Sequence, residues 1–244
     1  MAERASRRAV RLGIDTRQLG ARVEEIRFLV FGRALPAMLF ALLGYRVLLN
    51  LVGQVRSLPS HATPLDIASG PLPTAIYFLF CSIPVAIYLA RPRPRARDGR
   101  IPARVAALVG TTMLLVVGIF GNPVLFTPPA AMRVLAPPLT ILAFSLAVWG
   151  LLTLRRSLSI IPEARRLVTG GPYRAIRHPL YAAEILAACA VVISRPALWA
   201  VVALGPFIAV QLLRAHYEER LLSRVFPEYV AYAQRTKRLI PVVW

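Results

Sequence analysis

Two polar stretches near the C-terminus decide how this chain is organised: LVTGGPYRAIRHPLYAAEI at residues 167–185 and RAHYEERLLSRVFPEYVAYAQRTKRLIPVVW at residues 214–244. Both combine charged, aromatic and turn-forming residues, whereas the segments that precede and separate them are mostly apolar. Ionisable groups close to apolar spans are expensive unless they line a cavity or meet a partner. We therefore predict that residues 167–244 build a pocket at a membrane surface and that the earlier segments hold it there.

The composition of the 244-residue chain supports a membrane location. Hydrophobic residues make up 57% of it, which leaves too few polar side chains to cover a water-soluble globule. Both cysteines, Cys81 and Cys189, lie inside apolar runs, without the spacing or the neighbouring histidines of a disulfide or a metal site. We predict two buried thiols and no bound metal.

Four apolar runs precede the first polar stretch, at residues 34–52, 72–90, 105–120 and 134–154. As a helix, the first run is about 28 Å long, close to the ~30 Å hydrocarbon thickness of a bilayer. Pro137 and Pro138 are expected in the opening turn of the fourth helix, where their missing N–H groups cost least.

Two shorter apolar runs, 180–193 and 197–213, predict a tight helical hairpin over residues 180–213. The fold class that follows is all-α: a polytopic membrane protein with about six transmembrane or hairpin helices and a C-terminal cytoplasmic pocket. We divide the chain into a basic cytoplasmic tail (1–33), a four-helix transmembrane scaffold (34–154) and a catalytic region (155–244). Part of the tail, around Val23, Ile26 and Val30, has the spacing of an interfacial helix.

The net charge of +19 is distributed in a way that argues against nucleic acid. Of the thirty basic residues, twenty-six fall in alternate connections and at the two ends of the chain, which is the positive-inside pattern of membrane proteins. This pattern places both termini in the cytoplasm. The preference for arginine over lysine is typical of a GC-rich bacterial source, and hence of a bacterial cytoplasmic membrane.

Arg177-His178-Pro179-Leu180-Tyr181 carries the first candidate site. Pro179 suits the first turn of a helix, which places His178 at the helix N-terminus beside unpaired amide donors that favour an anionic group. Anchoring at lipid headgroups explains the same residues equally well.

Glu184 and a second cluster, Arg214-Ala-His-Tyr-Glu218-Glu219, supply further ionisable candidates. Glu184 shares a helical face with Tyr181. We expect it either to line a pocket or to pair with a base from a neighbouring helix. Arg214 and Glu218 are four residues apart, so they form either a simple ion pair or two separate sites. In the second case, Glu218 binds a cationic group of a cofactor and Arg214 binds an anionic substrate.

In order along the chain, LVTxGxY, RHPxY, RxxxEE and FxEYxxYxxxxxxxxP resemble the isoprenylcysteine carboxyl methyltransferase family and its bacterial relatives. The resemblance covers residues 155–244, and Pro227 departs from the family pattern. It implies an integral-membrane enzyme that moves a methyl group from S-adenosylmethionine to a lipophilic or lipid-modified acceptor, a carboxylate or a thiol. A carboxylate needs no general base, whereas a thiol or an amine does, a role open to His178 or Glu184. The resemblance assigns the substrate to Arg214 and the cofactor to Leu167, Val168, Tyr173, His178, Pro179, Leu180, Tyr181 and Glu218.

Two other functions fit the same pattern. Membrane sterol or enone reductases have a similar C-terminal hairpin and use NADPH. A non-enzymatic scaffold or transporter would also show apolar spans and basic connections. The acceptor itself stays open among a prenylated cysteine, a small thiol, a phospholipid amine and an isoprenoid acid.

Overall fold

The structure, a computed structural model, describes residues 16–119 and 123–240. In this part of the chain nearly all regular structure is helical, with one two-stranded antiparallel sheet. The helices are α1 (Thr16–Arg27), α2 (Leu35–Arg56), α3 (Pro64–Ser69), α4 (Pro71–Ala90), α5 (Ile101–Ile119), α6 (Ala130–Leu154), α7 (Pro179–Ser194), α8 (Leu198–Val225) and α9 (Tyr229–Arg235). The strands are β1 (Ala96–Arg97) and β2 (Glu163–Ala164), the 3-10 turns are Arg155–Ser157 and Gly171–Arg174, and a π-helical segment, Phe28–Ala34, joins α1 to α2.

Among the described residues, four helical spans are long and apolar enough to cross a membrane: Gly20–Arg56, Pro64–Ala90, Ala130–Ser157 and Leu198–Val225. Only 17% to 28% of the apolar part of each span is buried within the protein, so most of this apolar surface requires lipid. Helices α5 and α7 are shorter apolar helices. The predicted all-α, multi-pass membrane fold is confirmed, whereas the cytoplasmic position of its pocket stays a prediction.

The helix boundaries correct the expectation for Pro137 and Pro138. Helix α6 begins at Ala130, directly after an extended Pro129, so both prolines lie inside the helix rather than in its opening turn. Membrane helices accept interior prolines because neighbouring groups satisfy the carbonyls that proline leaves free. The first span also begins earlier than residue 34, because α1 runs into α2 through the π-helical segment.

The basic connections meet at one end of the helices. Strand β1, in the connection after α4, pairs with β2, in the connection after α6. Between the same connections, Arg165 donates to the Pro92 carbonyl (3.0 Å) and Arg91 to the Leu158 carbonyl (3.2 Å). At the other end, Leu125 N–H donates to the Pro196 carbonyl (2.9 Å). The two arginine-rich connections thus lie together; that they face the cytoplasm stays a prediction.

The predicted hairpin of residues 180–213 corresponds to α7 and the first part of α8, which continues for another three turns to Val225. Helix α6 packs against α7, and α5 packs against α8. Within the hairpin α7 also contacts α8. Two parts of the predicted elements lie outside the described residues: residues 1–15, with the first four arginines of the tail, and the end of the run 105–120. The three-part division of the chain stays a prediction.

Candidate functional site

The chain enters the site through a tight turn at Gly171. This glycine has φ of +56°, and a Cβ at this position would lie 2.5 Å from Oγ1 of Thr153, so only glycine fits here without strain. The turn continues into the 3-10 segment that buries Tyr173 to 7% exposure. The Tyr173 carbonyl accepts a hydrogen bond from the Tyr232 hydroxyl at 2.7 Å, which fixes the turn against α9.

His178 lies just before α7, between two carboxylates supplied by α8. Its Nε2 is 3.0 Å from Oε1 of Glu219, and its Nδ1 is 3.7 Å from Oε2 of Glu218. Burial lowers the pKa of His178, but hydrogen bonding and charge from the two glutamates outweigh burial, so the pKa is raised above its usual value. The geometry therefore favours an imidazolium that can donate from both nitrogens.

Tyr181 joins the two candidate clusters. Its hydroxyl donates to Oε2 of Glu218 at 2.9 Å. Its ring stacks on His178, with 5.4 Å between the ring centroids, and the guanidinium carbon of Arg214 is 4.8 Å from the Tyr181 ring centroid. Stacking and the cation–π contact hold all of these side chains in one place.

Arg214 forms its ion pair with a different glutamate from the one that sequence spacing offers. Its Nη1 is 3.3 Å from Oε2 of Glu184 on α7 and donates to Oε1 of Gln211 at 2.7 Å, while Gln211 donates to Glu184. Arg214 is 5% exposed, and its Nε has no hydrogen-bond acceptor among the described residues. A buried donor without an acceptor is costly, so this atom is suited to bind an anion.

Glu219, to which sequence analysis gave no separate role, attaches the C-terminal segment. Its carboxylate binds Nε of Arg177 (2.9 Å) and Nη2 of Arg238 (3.1 Å). The backbone follows the same path, because Arg177 N–H donates to the Lys237 carbonyl at 2.7 Å and His178 N–H donates to the Arg238 carbonyl at 3.1 Å. The two adjacent glutamates therefore differ in role. Glu219 is a structural anchor, whereas Glu218 keeps 34% of its side chain exposed.

One cavity is bounded by most of these residues. About 80 Å³ of it can hold water-sized molecules, within a hollow of about 810 Å³ measured out to open solvent. Of the residues predicted for the site, its wall includes Tyr173, His178, Leu180, Tyr181, Glu184, Arg214 and Glu218. Their shared position on this wall does not test the prediction that these residues bind a cofactor and a substrate.

Three predicted cofactor residues, Leu167, Val168 and Pro179, do not lie on this wall. Leu167 packs against a cluster that contains Leu221, and Pro179 lies against Gly150. Their contacts with a cofactor stay predictions. The wall also contains Tyr88 and Glu163, which sequence analysis did not single out. Tyr88 gives no signal because it belongs to a plain apolar run.

The cavity combines a partly exposed carboxylate with a buried guanidinium, and it can therefore bind a cationic and an anionic group side by side. The described residues contain no cluster of three or more His, Cys, Asp or Glu side chains that could hold a metal ion.

Comparison with known proteins gives two findings. Residues 131–229 match the model of the phospholipid methyltransferase family (PEMT). The chain is also 38% identical over 77 residues, 31% of its length, to the cobalt-zinc-cadmium resistance protein CzcN of Cupriavidus metallidurans. That alignment covers 35% of the relative, so the chain spans about a third of the length of the curated protein that it matches.

The family match contains α7, α8, nearly all of α6 and most of the cavity side chains named above. It agrees with the resemblance found in the RHPxY and RxxxEE motifs. Through residues 131–229, the chain is similar to the phospholipid methyltransferase family, the isoprenylcysteine carboxyl methyltransferase-like group of membrane methyltransferases.

Proposed function

We propose that this membrane methyltransferase transfers a methyl group from S-adenosylmethionine to a lipophilic acceptor that carries a carboxylate, of the isoprenylcysteine type. The observation that carries the choice of acceptor is the buried Nε of Arg214, which faces no acceptor within the described part of the chain. A thiol acceptor ranks second, because a thiol lacks the negative charge that a guanidinium binds.

The cofactor end of the cavity is assigned to Glu218. This carboxylate is held by the Tyr181 hydroxyl and remains accessible, so it can accept from a cationic group. Tyr173 and Tyr181 border the same cavity, and aromatic rings suit both a cation and an adenine ring. When bound, S-adenosylmethionine supplies a methyl group that its sulfonium already activates. The residues need only orient the acceptor and exclude water.

The acceptor end is assigned to Arg214. Its Nη1 is already engaged by Gln211 and Glu184, which fixes the plane of the guanidinium and leaves Nε as a buried donor without a partner among the described residues. Such a preorganised donor binds a carboxylate with little loss of side-chain entropy. Spans long and apolar enough to cross a membrane contribute to the site, which is consistent with an acceptor that arrives from the bilayer.

The small volume of the cavity requires a movement on binding. Sites for small molecules typically measure about 300–1,000 Å³, well above the ~80 Å³ open to water-sized molecules here. The connection that supplies Ser157, Ile160 and Pro162 to the wall contains no long helix and is the segment that we expect to move. Hydrogen exchange of residues 155–163 should change when the cofactor binds.

Thermal unfolding of the purified protein in detergent tests the cofactor. S-adenosylmethionine and S-adenosylhomocysteine should raise the unfolding temperature, because ligands that bind only the folded state stabilise it, and NADPH should not. Stabilisation by NADPH alone would favour the reductase. His178→Ala and Glu218→Ala should weaken the response, whereas a scaffold or transporter predicts no response in any variant.

Transfer of a labelled methyl group into a lipid extract tests the acceptor. The product should be a methyl ester, which mild base releases as methanol. A base-stable thioether or methylamine would overturn the carboxylate assignment while leaving the cofactor assignment intact.

A further inference from the structure

We propose that a second site, separate from the cavity, binds an anionic phospholipid. The site is a groove of about 1040 Å³ that lies between the first helical span and the arginine-rich connection after α4. It backs onto the cavity, with which it shares a wall formed by Tyr88, Ser159, Ile160, Ile161 and Glu163. The proposal does not depend on the methyl transfer proposed above.

The charged end of the groove has a strong excess of cations. Six arginines line it, against Glu24 and Glu163. Glu163 is already neutralised by Arg165 at 2.6 Å and Arg97 at 2.8 Å. The arginines of the groove are Arg27, Arg91, Arg93, Arg95, Arg97 and Arg104.

In the connection after α4 and at the start of α5, three of these arginines are available to a ligand. Arg93, Arg95 and Arg104 are exposed, and none forms an ion pair with a described carboxylate. A phosphate accepts hydrogen bonds from several guanidiniums at once, which suits this arrangement better than a neutral headgroup does.

Phe28 in the π-helical segment contacts two arginines of the groove, Arg93 and Arg97, and a third arginine beside it, Arg33. The guanidinium carbons of Arg33, Arg93 and Arg97 lie 5.2, 5.9 and 5.7 Å from the Phe28 ring centroid. Arg33 also donates to the Arg91 carbonyl at 2.7 Å. These contacts attach the first helical span to the basic connection and keep one side of the groove rigid.

The other end of the groove is apolar. Leu35, Met38 and Leu42 line it and are 41%, 54% and 58% exposed. From Leu35 to Leu42 the helix advances about 10 Å, away from the arginines and along a membrane span. A phosphate at the arginines with an acyl chain along this wall therefore satisfies both ends, and neither a soluble anion nor an uncharged lipid does.

Native mass spectrometry of the full chain in mixed micelles of phosphatidylglycerol and phosphatidylcholine tests the proposal. The wild type should retain phosphatidylglycerol. The double variant Arg93→Gln/Arg95→Gln should bind it roughly 25-fold more weakly, since each arginine near an anionic lipid surface contributes about fivefold. Arg220→Gln/Arg224→Gln removes the same charge from exposed positions on α8 and should retain the lipid as the wild type does.

The apolar end has its own matched pair of variants. Leu42→Glu should weaken retention of the lipid, whereas Leu48→Glu, at an exposed position on the same helix outside the groove, should not. Each variant is checked for an unchanged unfolding temperature in the same detergent without added lipid. Three results would overturn the proposal: an equal loss of lipid retention in both members of either pair of variants, no preference for phosphatidylglycerol over phosphatidylcholine, or full displacement of the bound lipid by inorganic phosphate.

Discussion

Replacing Gly110 by alanine tests whether catalysis depends on the position of Arg214. Gly110 lies on α5 and faces the side chain of Arg214. A Cβ at this position would lie 2.6 Å from Cδ of Arg214 and 3.1 Å from Cγ1 of Val210. Carbon atoms pack best at about 3.5–4.0 Å, so Arg214 has to retreat by about 1 Å.

The retreat of Arg214 cannot be absorbed by a free rotation of its side chain. Nη1 is fixed by Gln211 at 2.7 Å, and the guanidinium lies over the Tyr181 ring. A displacement of about 1 Å in a substrate-positioning group can reduce the rate about 100-fold. We therefore expect kcat/KM for the methyl acceptor to fall about 100-fold, with an overpacking cost to stability of about 1–3 kcal/mol.

The assay is methyl incorporation from labelled S-adenosylmethionine into the native acceptor, with cofactor affinity measured separately. Cofactor affinity should stay close to that of the wild type, because Glu218 lies one turn further along α8. Gly205→Ala is the matched control, since a Cβ at this position on α8 meets nothing within 4 Å. Full activity in Gly110→Ala, or an equal loss in Gly205→Ala, would refute the reasoning.

Three further predictions concern the carboxylate and tail contacts. Glu218→Gln should weaken S-adenosylmethionine binding roughly 10- to 100-fold in a titration, whereas Glu228→Gln, at an exposed position, should not; equal effects would contradict the assignment. Burial lowers the pKa of His178, but its two glutamates outweigh burial and raise it. The contribution of the imidazolium to the stability of the folded protein is therefore complete below about pH 6.5 and is lost as the pH rises through the folded-state pKa. His178→Gln should remove this alkaline loss of unfolding temperature, and an unchanged pH profile would argue against the imidazolium. Arg177→Lys should speed hydrogen exchange of residues 233–238, because one ammonium cannot replace the contacts that Arg177 makes to Glu219 and two carbonyls; unchanged exchange would count against this anchor.

Local patterns in the sequence account for much of the fold. The apolar runs predict helices because a lipid-facing helix needs only a sufficient length of apolar residues. His178 and Tyr181 lie together because a proline-initiated helix fixes their spacing. The alternation of basic connections likewise predicts that the connections after α4 and α6 share one end of the protein, as the β1–β2 pairing shows.

Long-range pairing could not be predicted. Arg214 has Glu218 at the helical spacing of an ion pair, yet its partner is Glu184, thirty residues away. The choice depends on how α7 and α8 pack, which single-helix periodicity does not contain. Likewise, Glu163 meets Arg91 and Arg97 only because the sheet joins two distant connections. Buried ionic contacts of this kind follow from the tertiary arrangement and not from neighbouring residues.

These pairings bear on the chemistry of the acceptor. An amine or thiol must lose a proton before it attacks a methyl group, so a base has to be free in the cavity. His178 holds its proton between two carboxylates, and Glu184 is engaged by Arg214 and Gln211. A carboxylate acceptor arrives ionised and needs neither residue as a base, while Arg214 retains a donor for it. The rate should therefore be independent of pH above the pKa of the acceptor's acid, and a rate that continues to rise between pH 7 and 9 would instead require a base that these contacts do not provide.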